Sequence, residues 1–429
     1  MNNKKVELLS PAGNLEKLKI AIKYGADAVY AGVSHFSLRI RAGKEFTFET
    51  FKEGIDYAHA RGKKVYATIN GFPFNSQIEL LKKHIATMAA LEPDGFIVAA
   101  PGVVKLCREI APQIDIHLST QANVLNYLDA QVFWDMGVKR IVVAREISLK
   151  DVIEIKKHLP DMEIEIFVHG SMCFAYSGRC LVSAVQMGRV PNRGSCANDC
   201  RFEYTLYAAN EDHSTLFRLE EEPGVGTYIF NSKDMNLASH IKEILDSGAV
   251  DSLKIEGRTK SPYYAAVTAK AYRNAIDDYY DGKFEASKYQ RELYTTKNRG
   301  FTDAYLIHRP FEKTDSQNHD YALSKGSYEV TGLVTQDEEH FLCKYKVYPN
   351  EDIEIFTPMG EELVECENEI GKIFKKDGIY YINFKKILTE TNKELESVHS
   401  GNVNKIKLPG ILPYLTMFRI ENVDGTIVE

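Results

Sequence analysis

The chain lacks three things: a long apolar run, a strong excess of either charge, and cysteines spread along its length. Each absence excludes something. Without about 18 consecutive apolar residues, no membrane-spanning helix is expected. A net charge of −7 over 429 residues argues against indiscriminate nucleic-acid binding. No His-Glu-x-x-His and no Gly-x-Ser-x-Gly is present, so no zinc-hydrolase or serine-hydrolase motif is spelled out. The start, Met1-Asn2-Asn3-Lys4-Lys5, runs into a strand-like stretch with no apolar h-region or cleavage site. A cytoplasmic setting with reduced thiols is therefore expected.

The charge is uneven. Residues 320–429 carry 12 Lys+Arg against 20 Asp+Glu, while residues 1–319 carry 41 against 40. The first part is free to present a basic face, and the second is acidic.

Four of the seven cysteines are concentrated in one stretch: Cys173, Cys180, Cys196 and Cys200. A β-like run up to Val168 empties into a loop punctuated by Gly170, Gly178, Gly188, Pro191 and Gly194. Their spacing, with only Cys196 and Cys200 close enough for a zinc knuckle, suits an iron–sulfur cluster at least as well as zinc. Unligated thiols are the bland alternative. Cys107, Cys343 and Cys366 stand alone and read as small apolar residues.

Short apolar runs alternate with helical periodicity over the first two thirds. Strands are expected at 6–9, 27–31, 64–70, 95–99, 114–119, 140–144, 164–168 and 252–255, with helices between them. Eight such units predict an α/β fold, a TIM-like (β/α)8 barrel over residues 1–281, with the cysteine loop 169–204 inserted after strand seven. A doubly wound open sheet is the runner-up. Residues 282–319 read as a connector. Short alternating strands from Tyr321 onward predict a small C-terminal all-β barrel domain over 320–429.

Barrel active sites lie at the carboxyl ends of the strands. That rule selects Asn70, Gln121, Arg145, His169, Glu256 and Arg258. Arg39, Arg41 and Arg193 join them, since arginine in loops after strands suits carboxylate or phosphate. We assign catalytic roles to Arg145, Glu256, Arg258 and His169. Substrate binding is assigned to Arg39, Arg41, Asn70, Gln121 and Arg193, and metal ligation to the four clustered cysteines. The bland readings are ion pairing for several arginines and Glu256, and packing for His169.

Glu165-x-Phe167-x-x-Gly170-Ser171-Met172-Cys173, followed by Gly178-x-Cys180-x-Val182-Ser183, resembles the signature of the peptidase U32 family. Ser10-Pro11-Ala12-Gly13, Lys254-Ile255-Glu256-Gly257-Arg258 and Asn298-Arg299-Gly300-Phe301 resemble the family as well. The resemblance implies a barrel, a 4Fe-4S cluster on Cys173, Cys180, Cys196 and Cys200, and oxygen-independent hydroxylation. Its implied substrates are tRNA wobble uridine, ribosomal RNA or a quinone precursor, with prephenate as co-substrate in the RNA branches. The appended β-domain resembles the tRNA branch. Transient tRNA binding, a small dicarboxylate and assembly with a second copy or a paralogue are the partners so implied. The rival readings are a collagenase-like peptidase and a non-enzymatic binding subunit with structural metal.

Overall fold

The structure is a computed structural model that describes residues 5–33, 36–37, 46–187, 189, 191–193, 196–209, 216–219, 231–307, 316–318 and 326–422. Eight parallel strands form a closed barrel: β1 (Glu7–Pro11), β2 (Ala28–Ala31), β3 (Lys64–Ile69), β4 (Gly95–Val98), β5 (Asp115–Leu118), β6 (Arg140–Val142), β7 (Glu163–Ser171) and β8 (Ser252–Ile255). Each pairs with its sequence neighbour, and β8 also pairs with β1, which closes the ring. The expected (β/α)8 barrel is thus the observed one, and the open sheet is excluded.

Helices α1 (Leu15–Lys23), α2 (Phe48–His59), α3 (Ile78–Ala89), α4 (Pro101–Ile110), α5 (Tyr127–Asp135), α6 (Leu149–His158), α7 (Ile241–Asp246) and α8 (Pro262–Tyr280) alternate with the strands. Their starts are written in short polar side chains. Asn126, Ser148 and Ser261 each accept a backbone N–H three residues on, and Thr47 and Thr50 cap α2 reciprocally. The apolar faces beneath them are fully buried, for example Phe51 and Ile55 on α2 and Val152 and Ile155 on α6.

The barrel interior departs from the usual filling of branched apolar side chains. Arg140 on β6 donates to Glu7 (2.5 Å), Glu163 (2.6 Å) and Glu165 (3.1 Å), and Lys254 on β8 donates to Glu165 (2.6 Å). The Tyr66 hydroxyl adds a bond to Glu7 at 2.7 Å. Burial opposes charge on Glu165, but Lys254 and Arg140 outweigh it and hold the carboxyl below its ordinary range.

Much of the stretch read as a connector falls within this unit, while Glu292–Lys297 does not. The stretch holds a helix, Ala286–Leu293, and a short strand, Phe301–Thr302. That strand pairs with Asp234–Asn236, which in turn pairs antiparallel with the end of β7. The chain divides into two compact units, the second made of Lys23–Gly25, Glu292–Lys297 and Lys325–Glu429. Its main body is a curled eight-stranded antiparallel sheet around Phe341, Ile353, Ile382, Phe384 and Phe418. His340–Cys343 and Lys346–Val347 are separate short strands, while Gly371–Lys376 and Ile379–Phe384 form a hairpin across Asp377-Gly378. Both turn residues have positive φ, as a two-residue hairpin turn requires.

Candidate active site at the barrel mouth

The site begins with the way β7 ends. Gly170 has φ +117°, and a Cβ there would stand 2.6 Å from the Glu256 carbonyl oxygen. Only glycine lets the ends of β7 and β8 come this close. Gly13 plays a similar part after β1, where a Cβ would collide with the Arg258 carbonyl. Two of the sequence motifs therefore meet because their glycines remove side chains between them.

Beyond β7 the cysteine loop is tied back over the mouth. Ser177, itself at φ +41°, receives the Arg145 N–H on its hydroxyl at 3.0 Å, and its own N–H donates to Glu146 at 2.8 Å. The Ser177 hydroxyl also bonds Glu146. The Arg179 guanidinium donates to the Gln121 carbonyl at 2.9 Å, which joins the loop to the end of β5. Further along, the Ala197 N–H donates to the Ser183 hydroxyl (3.1 Å), and Asn192 bonds both the N–H and the C=O of Cys180.

This arrangement encloses a cavity of about 150 Å³ at the carboxyl ends of the strands. Its walls include Cys173, Cys180, Cys196 and Cys200 on the loop side, and Arg145, Lys254, Glu256 and Arg258 on the barrel side. Tyr30, Phe167 and Phe174 supply aromatic surface. Arg145 pairs with Glu256 and lies over the Phe167 ring, 4.0 Å from its centroid. Arg258 donates to the hydroxyls of Ser37 (2.7 Å) and Thr68 (3.0 Å). Three cationic side chains thus border the cavity, Arg145 paired with Glu256 and Lys254 with Glu165, and their N–H donors suit an anion.

The thiols line one cavity yet, among the described residues, no three of His, Cys, Asp or Glu are grouped closely enough to hold a single metal ion. Burial raises the Cys200 thiol pKa, Arg201 opposes this, and Cys173, Cys196 and Cys180 each raise it further. Asp199, next to Cys200 in sequence, is 1% exposed, and among the described residues neither of its carboxylate oxygens has a hydrogen-bond partner. Four soft donors around one cavity, too spread for a single ion, suit a larger bound group.

Of the residues singled out from sequence, Arg145, Glu256, Arg258, Asn70, Gln121 and the four cysteines all border this cavity. Asn70 donates to the Gln121 side chain at 3.1 Å. His169 does not border it. It is 2% exposed and packed among the rings of Tyr264, Tyr272 and Phe301. Burial drives its pKa to about 3, so it is neutral. The structure therefore places it among packed rings, away from the other residues assigned catalytic roles. Arg39 and Arg41 lie outside the described residues, as does the Arg193 side chain. Sequence reasoning missed Lys254, Tyr30, Thr68 and Phe167. A lysine between Leu253 and Ile255 in a buried strand was the available signal for the first.

A closed (β/α)8 barrel whose mouth carries four thiols and an anion-favouring wall defines a class of barrel proteins with a cysteine-lined site. Residues 13–316 match Peptidase family U32, and the chain belongs to that family. It is 64% identical over 416 residues to tRNA hydroxylation protein P of Helicobacter pylori (strain ATCC 700392 / 26695), covering 97% of this chain and 99% of that one. Identity to tRNA hydroxylation protein P of Escherichia coli (strain K12) is 39%, covering 86% and 90%. To the 23S rRNA 5-hydroxycytidine C2501 synthase of the same organism it is 33%, covering 65% of this chain but 40% of the synthase.

Proposed function

We propose that this protein is an RNA hydroxylase whose substrate is the wobble uridine of tRNA, converted to 5-hydroxyuridine without molecular oxygen. The observation that carries this reading is the convergence of four thiols and an anion-favouring aromatic wall on one cavity, in a chain similar over nearly its whole length to proteins named for tRNA hydroxylation.

Cys173, Cys180, Cys196 and Cys200 would hold a four-iron cluster, which is larger than a single ion and suits four thiols spread around a cavity. Bound there, such a group supplies electron transfer. The protein's own residues do the rest. Arg258 and Lys254 attract the carboxylates of a small dicarboxylate, in this reading prephenate, by charge-assisted hydrogen bonds. Tyr30 and Phe167 flank it and exclude water. Glu256, fixed by Arg145, is placed to hold a proton at the mouth. The base must arrive unstacked, because a base inside a helix cannot reach a recessed cavity.

A peptidase reading finds less support. Ser183 is buried and its hydroxyl accepts the Ala197 N–H, and Ser171 is buried in pairing with Asp234. Nucleoside mass spectrometry of tRNA from a strain lacking the gene and any paralogue tests the proposal. Loss of 5-hydroxyuridine, restored by the wild-type gene but not by Cys180→Ala, is expected. Unchanged tRNA with altered ribosomal RNA would move the assignment to the rRNA branch.

A further inference from the structure

The cysteine loop presents apolar side chains to solvent in unusual density. Phe174 is 49% exposed and Tyr176 48%, and Leu181, Val185 and Met187 are exposed beside them. Exposed apolar residues scattered singly need no explanation, but a run of them around a cavity does. Phe174 also lines the cavity itself. Tyr176 opens the turn anchored by Ser177 to Glu146, so the ring stands on a fixed backbone.

The charge of the same stretch selects among occupants. Residues 173–209 contain Arg179, Arg189, Arg193 and Arg201 against Asp199 and Glu203. The segment is therefore positive in a chain of net charge −7. Arg179 and Arg189 are exposed. Aromatic rings interleaved with arginines fit single-stranded nucleic acid, whose bases stack on the rings while phosphates meet the guanidinium groups. A surface for an acidic protein partner would need the charge but not an exposed ring at the cavity edge, as Phe174 supplies.

We propose that Phe174 and Tyr176 form a stacking platform for the unpaired nucleotides next to the reacting base, with Arg179 and Arg189 on the phosphates. The platform holds the loop open while its neighbour enters the cavity. Recognition is by unstacked base faces and backbone, so it selects loops over duplex. This inference rests on the RNA reading above.

The test uses the full chain purified anaerobically, with an unmodified anticodon stem–loop RNA carrying 2-aminopurine next to the wobble position. Wild-type protein should bind it, change the 2-aminopurine emission through stacking, and bind a fully paired duplex of equal length far more weakly. Phe174→Ala and Tyr176→Ala should each weaken stem–loop binding about tenfold and together about 100-fold. Phe174→Trp should restore it, and thermal melting should be unchanged because both rings are exposed. If wild type binds the stem–loop and the double alanine variant binds equally well with the same emission change, the platform is refuted and the RNA reading stands. If wild type shows no preference for the stem–loop over duplex, both fall together.

Discussion

Arg140 and Arg258 sit in the same barrel, each among side chains that satisfy its guanidinium, yet their surroundings set them different tasks. Arg140 is enclosed with Glu7, Glu163 and Glu165, and these carboxylates have Lys254 and Tyr66 as further partners. Arg258 meets the neutral hydroxyls of Ser37 and Thr68 and opens on the cavity. The first set is spent on holding strands together. The second lies on the cavity wall, where a ligand can meet it. Lys254 belongs to both, as its amine bonds Glu165 while its side chain lines the cavity floor.

The largest effect should come from breaking the enclosed set. Arg140→Ala leaves buried carboxylates without their partner, and a loss of about 3–5 kcal/mol in urea unfolding is expected. A smaller loss than Arg258→Ala produces would dissolve the distinction. At the open set the effect should move from stability to binding. Arg258→Gln is expected to weaken dicarboxylate binding by about 30-fold, the equivalent of about 2 kcal/mol for a charged hydrogen bond, in isothermal titration calorimetry. Its unfolding midpoint should hardly change.

Acid provides a third test. His169 has its pKa lowered to about 3, chiefly by burial, with Lys260 adding to this and Asp234 opposing. The unfolded histidine, near 6.5, binds a proton that the folded one refuses. Stability from this group is therefore complete above about pH 6.5 and lost as pH falls toward 3. His117 is lowered in the same direction by burial and by Arg140, Lys254 and Lys64. Between pH 7 and 5, His169 should account for about 2 kcal/mol of lost stability. A His169→Asn protein that keeps the wild-type slope over this window would contradict the assignment. The smallest effect is expected at the tie between loop and barrel. Ser177→Ala removes the hydroxyl shared with Arg145 and Glu146, and should cost about 1 kcal/mol and speed hydrogen exchange across residues 174–181.

The barrel was legible because each of its strands is a short apolar run and each long helix shows its own periodicity. The expected strand 252–255 matches Ser252–Ile255 to the residue. The cavity's polar edge was legible for a related reason, since strand ends are where a barrel places its site. What escaped is what periodicity does not encode. Asp234–Asn236 and Phe301–Thr302 are too short to show a pattern, and they exist because the end of β7 offers them an edge. The Asp377-Gly378 turn was a readable hairpin signal, but Gly371–Lys376 before it carries three lysines and looks like a loop. The charged barrel interior was hidden because Arg140, Glu165 and Lys254 lie in three short strands far apart in sequence, and only the closed barrel brings them into contact. His169 follows the expected strand 164–168 as an active-site histidine would, but β7 runs on to Ser171 and three rings surround the imidazole.

The central claim is that the loop over the barrel mouth holds an iron–sulfur group on four thiols. Anaerobic purification followed by iron, sulfide and zinc assay with an absorption spectrum tests it most directly. About four iron and four sulfide per chain, with a broad band in the visible, is the predicted result, reduced in Cys200→Ser and unaffected in Cys107→Ser. Colourless protein with about one zinc per chain, or iron content indifferent to Cys200→Ser, would contradict it.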